Sequence, residues 1–393
     1  MKKILFVIDS LNSGGAEKSL VSLLTLFDYK NYEVDLLMFS QKGLYLSLLP
    51  KEVNVLEVPM FMIKQSSGVR NLIKNKNFQE LYRRLGASIS LRNPYYKKKM
   101  HGAQINWKWT AKGISKLDKK YDVAIAYSQG MPTYFVAEKV IANKKLCWVN
   151  TDYRVASYNK EFDLKYYSKF DNIIAVSDSC KGVLSEELAS MKSKIRVVYD
   201  IISPNLVKSM AHENGGFTDK YEGLKILTIG RLVHLKGYDM AIQACHKLKQ
   251  EGIEFKWYAI GEGDLKTKLE NMLKENGLED HFIFLGTHSN PYTFLQQSDI
   301  YVQPSRFEGY GLAIAEARIL QKPVVATNFT VVHNQIRDRE NGLIVNMDSE
   351  DLYRGIKEII EDKNLRQRIF LNLGKENIGT EEEIFKVYSL IES

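Results

Sequence analysis

Two carboxylates sit eight positions apart in the stretch Arg306-Phe-Glu-Gly-Tyr-Gly-Leu-Ala-Ile-Ala-Glu316, which follows the apolar run Ile300, Tyr301, Val302. A strand, then a glycine-bearing loop, then a helix makes a hollow the size of a phosphate. Gly309 and Gly311 allow close backbone approach, and the amides of Leu312 and its successors stand at the positive end of the helix. Glu308, in the loop beside Tyr310, can reach a hydroxyl-rich group before the helix. Glu316, about two turns in, can reach a second one further along. A ligand with hydroxyls at both ends and phosphate between them has the layout of a nucleotide sugar. The bland alternative is a helix with an acidic N-terminal residue and a solvated glutamate.

Other loops of the second half offer matching chemistry. Gly230-Arg231-Leu-Val-His-Leu-Lys236-Gly237 follows a predicted strand. Arg231 can meet a diphosphate with its planar fork and Lys236 as a mobile point charge. Gly261-Glu-Gly263-Asp264 and Gly286-Thr287-His288 follow two further strands, so four polar, glycine-rich strand ends adjoin. The first half supplies Ser13-Gly14-Gly15-Ala16-Glu17 after its first strand, where amides at Gly14 and Gly15 suit an anion. Neither Gly-x-Gly-x-x-Gly spacing nor a Walker lysine is present, which argues against dinucleotide and P-loop sites. The histidines near these loops, His234 and His288, read as structural or solvated.

The elements that must position these loops follow from short apolar runs separated by helical patterns. Strands are predicted over 3–8, 34–39, 53–58, 122–126, 145–149 and 172–176, with 197–199 as a candidate last strand. In the second half they fall over 225–229, 255–260, 282–285, 300–303, 323–326 and 342–345. Helices are predicted over 16–27, 44–49, 238–251, 265–275, 291–297 and 312–320, and a further helix after Ser177. Continuous apolar strands alternating with helices indicate parallel sheets covered on both faces. At 393 residues the chain suits two domains, and the polar stretch 203–222 is the natural boundary. The expectation is 1–202 and 203–393, with an apolar helical pattern over about 382–391 that can pack back on the first domain.

Composition excludes several classes. Apolar content of 45% and charged content of 26% are those of a globular protein, and three scattered cysteines argue against a disulfide framework or zinc site. The apolar run before Asp9 is too short for a signal peptide, no run suits a membrane span, and a cytoplasmic setting is expected. Net charge is +13 over 1–200 and −5 over 201–393, and the segment 64–120 alone carries +13. Interleaved there are Tyr82, Tyr95, Tyr96, Trp107 and Trp109. That mixture suits an anionic membrane surface or a phosphorylated lipid. Nucleic acid attracts the same patch, but it is not the expected partner.

Taken together, Gly230-Arg231 with Lys236-Gly237, Gly261-Glu-Gly263, Glu308-x7-Glu316, Pro323-Val-Val-Ala-Thr327 and Gly14-Gly15-Ala16-Glu17 resemble the retaining glycosyltransferases of family 4, often called glycosyl transferases group 1. The resemblance implies the GT-B fold, α/β with two Rossmann-like doubly wound domains facing across a cleft. It implies transfer from a UDP- or GDP-sugar to a saccharide acceptor, lipid-linked and at the inner membrane face, as in capsule, exopolysaccharide or O-antigen assembly. Arg231 and Lys236 would hold the leaving diphosphate, Glu308 the donor sugar and Glu316 the ribose. No metal or other cofactor is expected, and no Asp-x-Asp occurs. Many relatives carry a histidine after a first-domain strand. The comparable stretch here is Trp148-Val-Asn150-Thr-Asp152-Tyr-Arg154, which puts Asn150 and Asp152 toward sugar or acceptor. Two other activities fit the same fold, a nucleotide-sugar epimerase and a non-catalytic partner subunit; intact Arg231, Lys236, Glu308 and Glu316 weigh against the latter.

Overall fold

The computed structural model describes residues 1–12, 14–58, 78–151, 153–154 and 158–393. Ser13, Asp152 and the part of the basic segment before residue 78 lie outside the described residues. The chain divides into two compact units, unit 1 being Met1–Ile201 with Glu382–Ser393 and unit 2 being Ile202–Glu381.

Unit 1 is built on strands β1 (Lys2–Ile8), β2 (Tyr32–Met38), β3 (Asn54–Val55), β4 (Lys120–Ala126), β5 (Ile141–Val149), β6 (Asn172–Ala175) and β7 (Ile195–Val197). Their order is β3-β2-β1-β4-β5-β6-β7 and every pairing is parallel. Ile4 to Ile8 and Val123 to Ala126 are all buried, because helices cover both faces and leave no side for polar alternation. The covering helices are α1 (Gly15–Thr25), α2 (Phe78–Arg92), α3 (Pro94–Lys99), α4 (Gly102–Thr110), α5 (Met131–Lys139), α6 (Lys160–Tyr167) and α7 (Asp178–Glu187). Ser177 caps α7 by accepting from the Cys180 amide at 3.1 Å. The strand expected over 53–58 shrinks to Asn54–Val55, and the last strand lies two residues earlier than expected.

The basic segment corrects one expectation. Trp107 is 0% exposed and belongs to the core, not to a surface. Trp109 donates from Nε1 to Ser90 Oγ at 3.0 Å and lies so close to Gly86 that a β-carbon there would meet the ring at 2.3 Å. Both indoles therefore fasten helices together. A buried knot does the same nearby. Asp163 of α6 accepts from Tyr134 and Tyr153 hydroxyls, each at 2.6 Å, and from Gln104 Nε2 at 2.7 Å.

Unit 2 repeats the plan with β8 (Leu224–Ile229), β9 (Phe255–Ile260), β10 (Phe282–Gly286), β11 (Ile300–Gln303), β12 (Val324–Thr327) and β13 (Leu343–Val345). The order is β10-β9-β8-β11-β12-β13, again all parallel. Its helices are α8 (Pro204–Ala211), α9 (Tyr238–Gln250), α10 (Lys266–Glu275), α11 (Tyr292–Gln297), α12 (Leu312–Ile319), α13 (Ser349–Glu361) and α14 (Lys363–Leu373). The stretch 203–222, read from sequence as a polar connection, starts with α8, for which Ser203 is the cap and Pro204 the first residue. After unit 2 the chain returns to unit 1 as α15 (Glu383–Glu392). There Tyr388 stacks on Tyr32 with centroids 5.4 Å apart, and Lys2 Nζ donates to Glu392 at 2.5 Å.

Candidate active site

In each unit the strand order reverses at one place, between β1 and β4 and between β8 and β11. At such a point the two following loops run to opposite faces and leave a crevice at the carboxyl ends of the strands. The chemistry of unit 2 gathers there.

Lys236 ends a short turn, His234–Lys236, after β8. Its ammonium donates to both oxygens of Glu308, at 2.6 and 2.7 Å. The two side chains are 20% and 10% exposed, so the pair sits in the wall with one edge open to solvent. Glu308 Oε1 also accepts from Ser305 Oγ at 2.6 Å and Gln303 Nε2 at 2.9 Å. Among the described residues Oε2 has Lys236 as its one partner. Three donors saturate one carboxylate oxygen and leave a lone pair on the other. An ammonium has three hydrogens, and the pair uses two. The arrangement thus offers an acceptor and a cationic donor side by side.

Further contacts bind the two loops. Arg306 donates bidentately to Asp239, both bonds at 2.7 Å, and to the His234 carbonyl at 3.0 Å. Burial raises the Asp239 pKa, but the guanidinium bonds outweigh it and hold the group below the ordinary carboxylate range. The Arg306 amide donates to the Leu235 carbonyl at 2.8 Å. Gly237 turns the chain from the lysine into α9 at φ +66°, where an added β-carbon would meet the Pro304 carbonyl oxygen at 1.8 Å. Only glycine permits both that dihedral and that approach. Gly230 and Gly261 are similarly close, since a β-carbon on Gly261 would lie 1.9 Å from the Gly230 oxygen.

The other predicted residues of unit 2 lie in the loops after β8, β9, β10 and β11 and on α12. Glu316, on α12, is 2% exposed and accepts from the Tyr292 hydroxyl at 3.0 Å, so it is an inner-wall carboxylate and not a solvated one. Gly311 caps α12 with no side-chain acceptor, and Gln335 Nε2 anchors the loop by donating to the Gly311 oxygen at 3.2 Å. Gly309, Tyr310 and Leu312 are half-buried along the same loop. Arg231 is exposed, and its guanidinium makes no ion pair or hydrogen bond among the described residues. Thr287 is exposed after β10. Sequence reasoning missed Ser305, Gln303, Asp239 and Tyr292. The signal for the first two was their place at the end of β11.

Unit 1 also gathers polar side chains at the carboxyl ends of its central strands. Asp9 after β1 accepts from Ser128 Oγ after β4, at 3.4 Å. Gly14 precedes α1, but the Glu17 carboxylate folds over it, with Oε2 2.1 Å from where a β-carbon would stand. The helix end beside Gly15, expected to meet a phosphate, therefore faces the chain's own carboxylate. Asn150 Nδ2 donates to the Tyr127 carbonyl at 2.9 Å, while its Oδ1 is buried with no partner among the described residues. Beside it Thr151 donates to Gln129 Oε1 at 2.8 Å, and Gln129 Nε2 is likewise buried and unpartnered. One acceptor and one donor are thus left without partners in neighbouring loops of unit 1.

Residues 217–372 match the family described as Glycosyl transferases group 1. Unit 2 thus carries a glycosyltransferase domain. Over 382 residues the chain is 26% identical to the N-acetylgalactosamine-N,N'-diacetylbacillosaminyl-diphospho-undecaprenol 4-alpha-N-acetylgalactosaminyltransferase of Campylobacter jejuni, covering 93% of this chain and 92% of that one. Among solved structures it resembles TarM of S. aureus with TM-score 0.70 at 17% identity, each chain covered fully. It resembles Anabaena Alr3699/HepE, solved with UDP and glucose, with TM-score 0.70 at 18% identity, again over the whole of both chains. At those identities the likeness speaks for the fold, which is α/β with two Rossmann-like parallel sheets, as in the GT-B glycosyltransferases. Among the described residues no helix is long and apolar enough to cross a membrane.

Proposed function

We propose that the protein is a retaining glycosyltransferase of the family 4 type. It moves a hexosyl group from a nucleotide sugar, UDP- or GDP-linked, to a lipid-linked saccharide in the assembly of a cell-surface polysaccharide such as capsule, exopolysaccharide or O-antigen. The observation that carries this reading is the Lys236–Glu308 pair at the switch point of unit 2, with Arg231 exposed in the same loop. The glycan and undecaprenol terms in the name of the Campylobacter relative support the acceptor class, and the UDP in the Anabaena structure supports the donor class.

In this mechanism the bond between the sugar's anomeric carbon and the β-phosphate oxygen breaks. The acceptor hydroxyl forms the new bond on the same face, and its proton passes to the departing phosphate. Negative charge grows on that phosphate. The third N–H of Lys236 and the fork of Arg231 meet it without help from a metal, and fixed donors of this kind contribute a few kcal/mol each. The open Oε2 of Glu308 accepts from a hydroxyl of the sugar and fixes its orientation. Glu316 takes the ribose hydroxyls, giving up its bond from Tyr292. Within unit 1, Asn150 offers its unused amide oxygen to a hydroxyl of the saccharide acceptor. The reaction takes place at the cytoplasmic membrane face, where a lipid-linked acceptor is available.

A panel of UDP- and GDP-sugars, screened for a rise in unfolding temperature, tests the donor reading, because a bound ligand stabilises by mass action. At least one should raise the midpoint and be turned over with chelator present. Lys236→Ala should abolish turnover by about 100-fold or more. A panel with no response, or full activity in the alanine variant, refutes the proposal.

A further inference from the structure

Helix α2 is built inside out. Its buried side chains are Glu80, Ala87 and Ser90, while Phe78, Tyr82, Leu85 and Ile89 are 64%, 68%, 50% and 67% exposed. At about 100° per residue those four fall within an arc of roughly 60°, as a stripe about 16 Å long. An ordinary surface helix turns such a stripe toward its core and its polar residues outward. Here the reverse holds. The inner face is committed to α4, through Trp109 on Gly86 and its bond to Ser90. Tyr95 and Tyr96 of α3 extend the apolar surface, at 59% and 39% exposed.

Charge identifies the occupant. Between residues 78 and 112 there are eight Lys or Arg and one acidic residue, Glu80, which is buried and has Arg83 at 3.6 Å. Arg92 closes the stripe at the end of α2, and Lys98 and Lys99 are exposed on α3. Lys99 also holds Tyr95, donating to its hydroxyl at 2.8 Å. Nothing acidic is exposed there to repel phosphates. Nucleic acid would match the charge and the rings of Phe78 and Tyr82, but Leu85 and Ile89 continue the ridge as aliphatic surface on which bases do not stack. An apolar ridge flanked by cations suits the boundary between acyl chains and anionic headgroups.

We infer that α2 and α3 form a membrane-docking face, which inserts Phe78, Tyr82, Leu85 and Ile89 into an anionic bilayer while Arg92, Lys98 and Lys99 bind its headgroups. This deepens the proposed function by naming how the enzyme reaches a lipid-linked acceptor, and its test does not depend on turnover. The full chain is floated with vesicles of phosphatidylcholine alone or mixed with phosphatidylglycerol. It should rise with the mixed vesicles only. Leu85→Asp with Ile89→Asp should cut recovery about ten-fold or more, and so should Arg92→Gln with Lys98→Gln and Lys99→Gln. Both variants alter exposed residues and should keep the unfolding temperature and the response to nucleotide sugar, which separates this inference from the donor reading. It is overturned if the protein ignores the vesicles or if the Leu85 and Ile89 variant still floats. It is equally overturned if that variant turns a lipid-free dimer into a monomer in sedimentation, or if the face is titrated by RNA in place of vesicles.

Discussion

Replacing Glu308 by Gln should tighten the binding of the bare nucleoside diphosphate while disabling transfer. Glu308 holds two of the three hydrogens of Lys236, at 2.6 and 2.7 Å. A phosphate that approaches the same ammonium also meets the carboxylate. Two unit charges about 5 Å apart repel by about 3 kcal/mol at an effective dielectric of about 20. Partial exposure of both groups reduces this, so about 1–2 kcal/mol is a working figure. Glutamine keeps the shape, and its carbonyl can still accept from Ser305 and Gln303, so the loop should hold. The expected result is roughly 5- to 30-fold tighter UDP or GDP by calorimetric titration. Transfer with a full donor and acceptor should fall about 100-fold or more, because the sugar loses its carboxylate partner. If the variant binds the diphosphate no better than the unaltered protein, Lys236 does not serve the phosphate and the reasoning fails.

Three stability predictions test the surroundings. Gly237→Ala forces a β-carbon into the Pro304 carbonyl at φ +66°, and should cost about 2–4 kcal/mol in urea unfolding; a cost under about 1 kcal/mol would contradict the close approach. Asp163→Ala strands two tyrosine hydroxyls and an amide inside unit 1, and should lower stability by about 3–4 kcal/mol on the same assay. Asp200 is pushed up to about 6 by burial, with a bond from Ser19 opposing the shift. The folded chain therefore holds that proton more tightly than the unfolded one, whose aspartate titrates near 4. The protonated form's advantage is full below about pH 4 and is lost as pH rises through about 6. Unfolding midpoints from pH 4 to 8 should fall less in Asp200→Asn than in the unaltered protein; parallel curves would refute this.

The sheets were legible because a parallel strand is apolar on both sides. Runs such as 255–260 and 300–303 have no polar alternation to blur them, and both match the observed strands. Helix α5 was hidden for a related reason, since Pro132 to Ala137 are all buried and show no period of 3.6. Helix α8 carried a readable start in Ser203-Pro204, but its polar neighbours made it look like a connection. At the site, residue types were plain while their pairing was not. Lys236 and Glu308 lie 72 positions apart and meet only because β8 lies beside β11. The tryptophans misled because an indole among lysines suits a membrane edge and a helix seam equally well. Burial alone tells the two apart, and burial depends on which neighbours the fold supplies.

The connection at residue 202 has a practical consequence. The Ile202 amide donates to Thr380 Oγ1 at 2.8 Å, and the Thr380 amide returns a bond to the Ile202 carbonyl at 3.1 Å. Departure from unit 1 and return to it are thus tied side by side, so the whole of Ile202–Glu381 behaves as cargo spliced into a host by two adjacent threads. A ribosome must finish that cargo before α15 can seal the face where Tyr388 meets Tyr32. A short glycine-serine bridge from Ile201 to Glu382 should excise the cargo and leave the host able to close, giving a miniature protein for weighing saccharides against the first unit by itself.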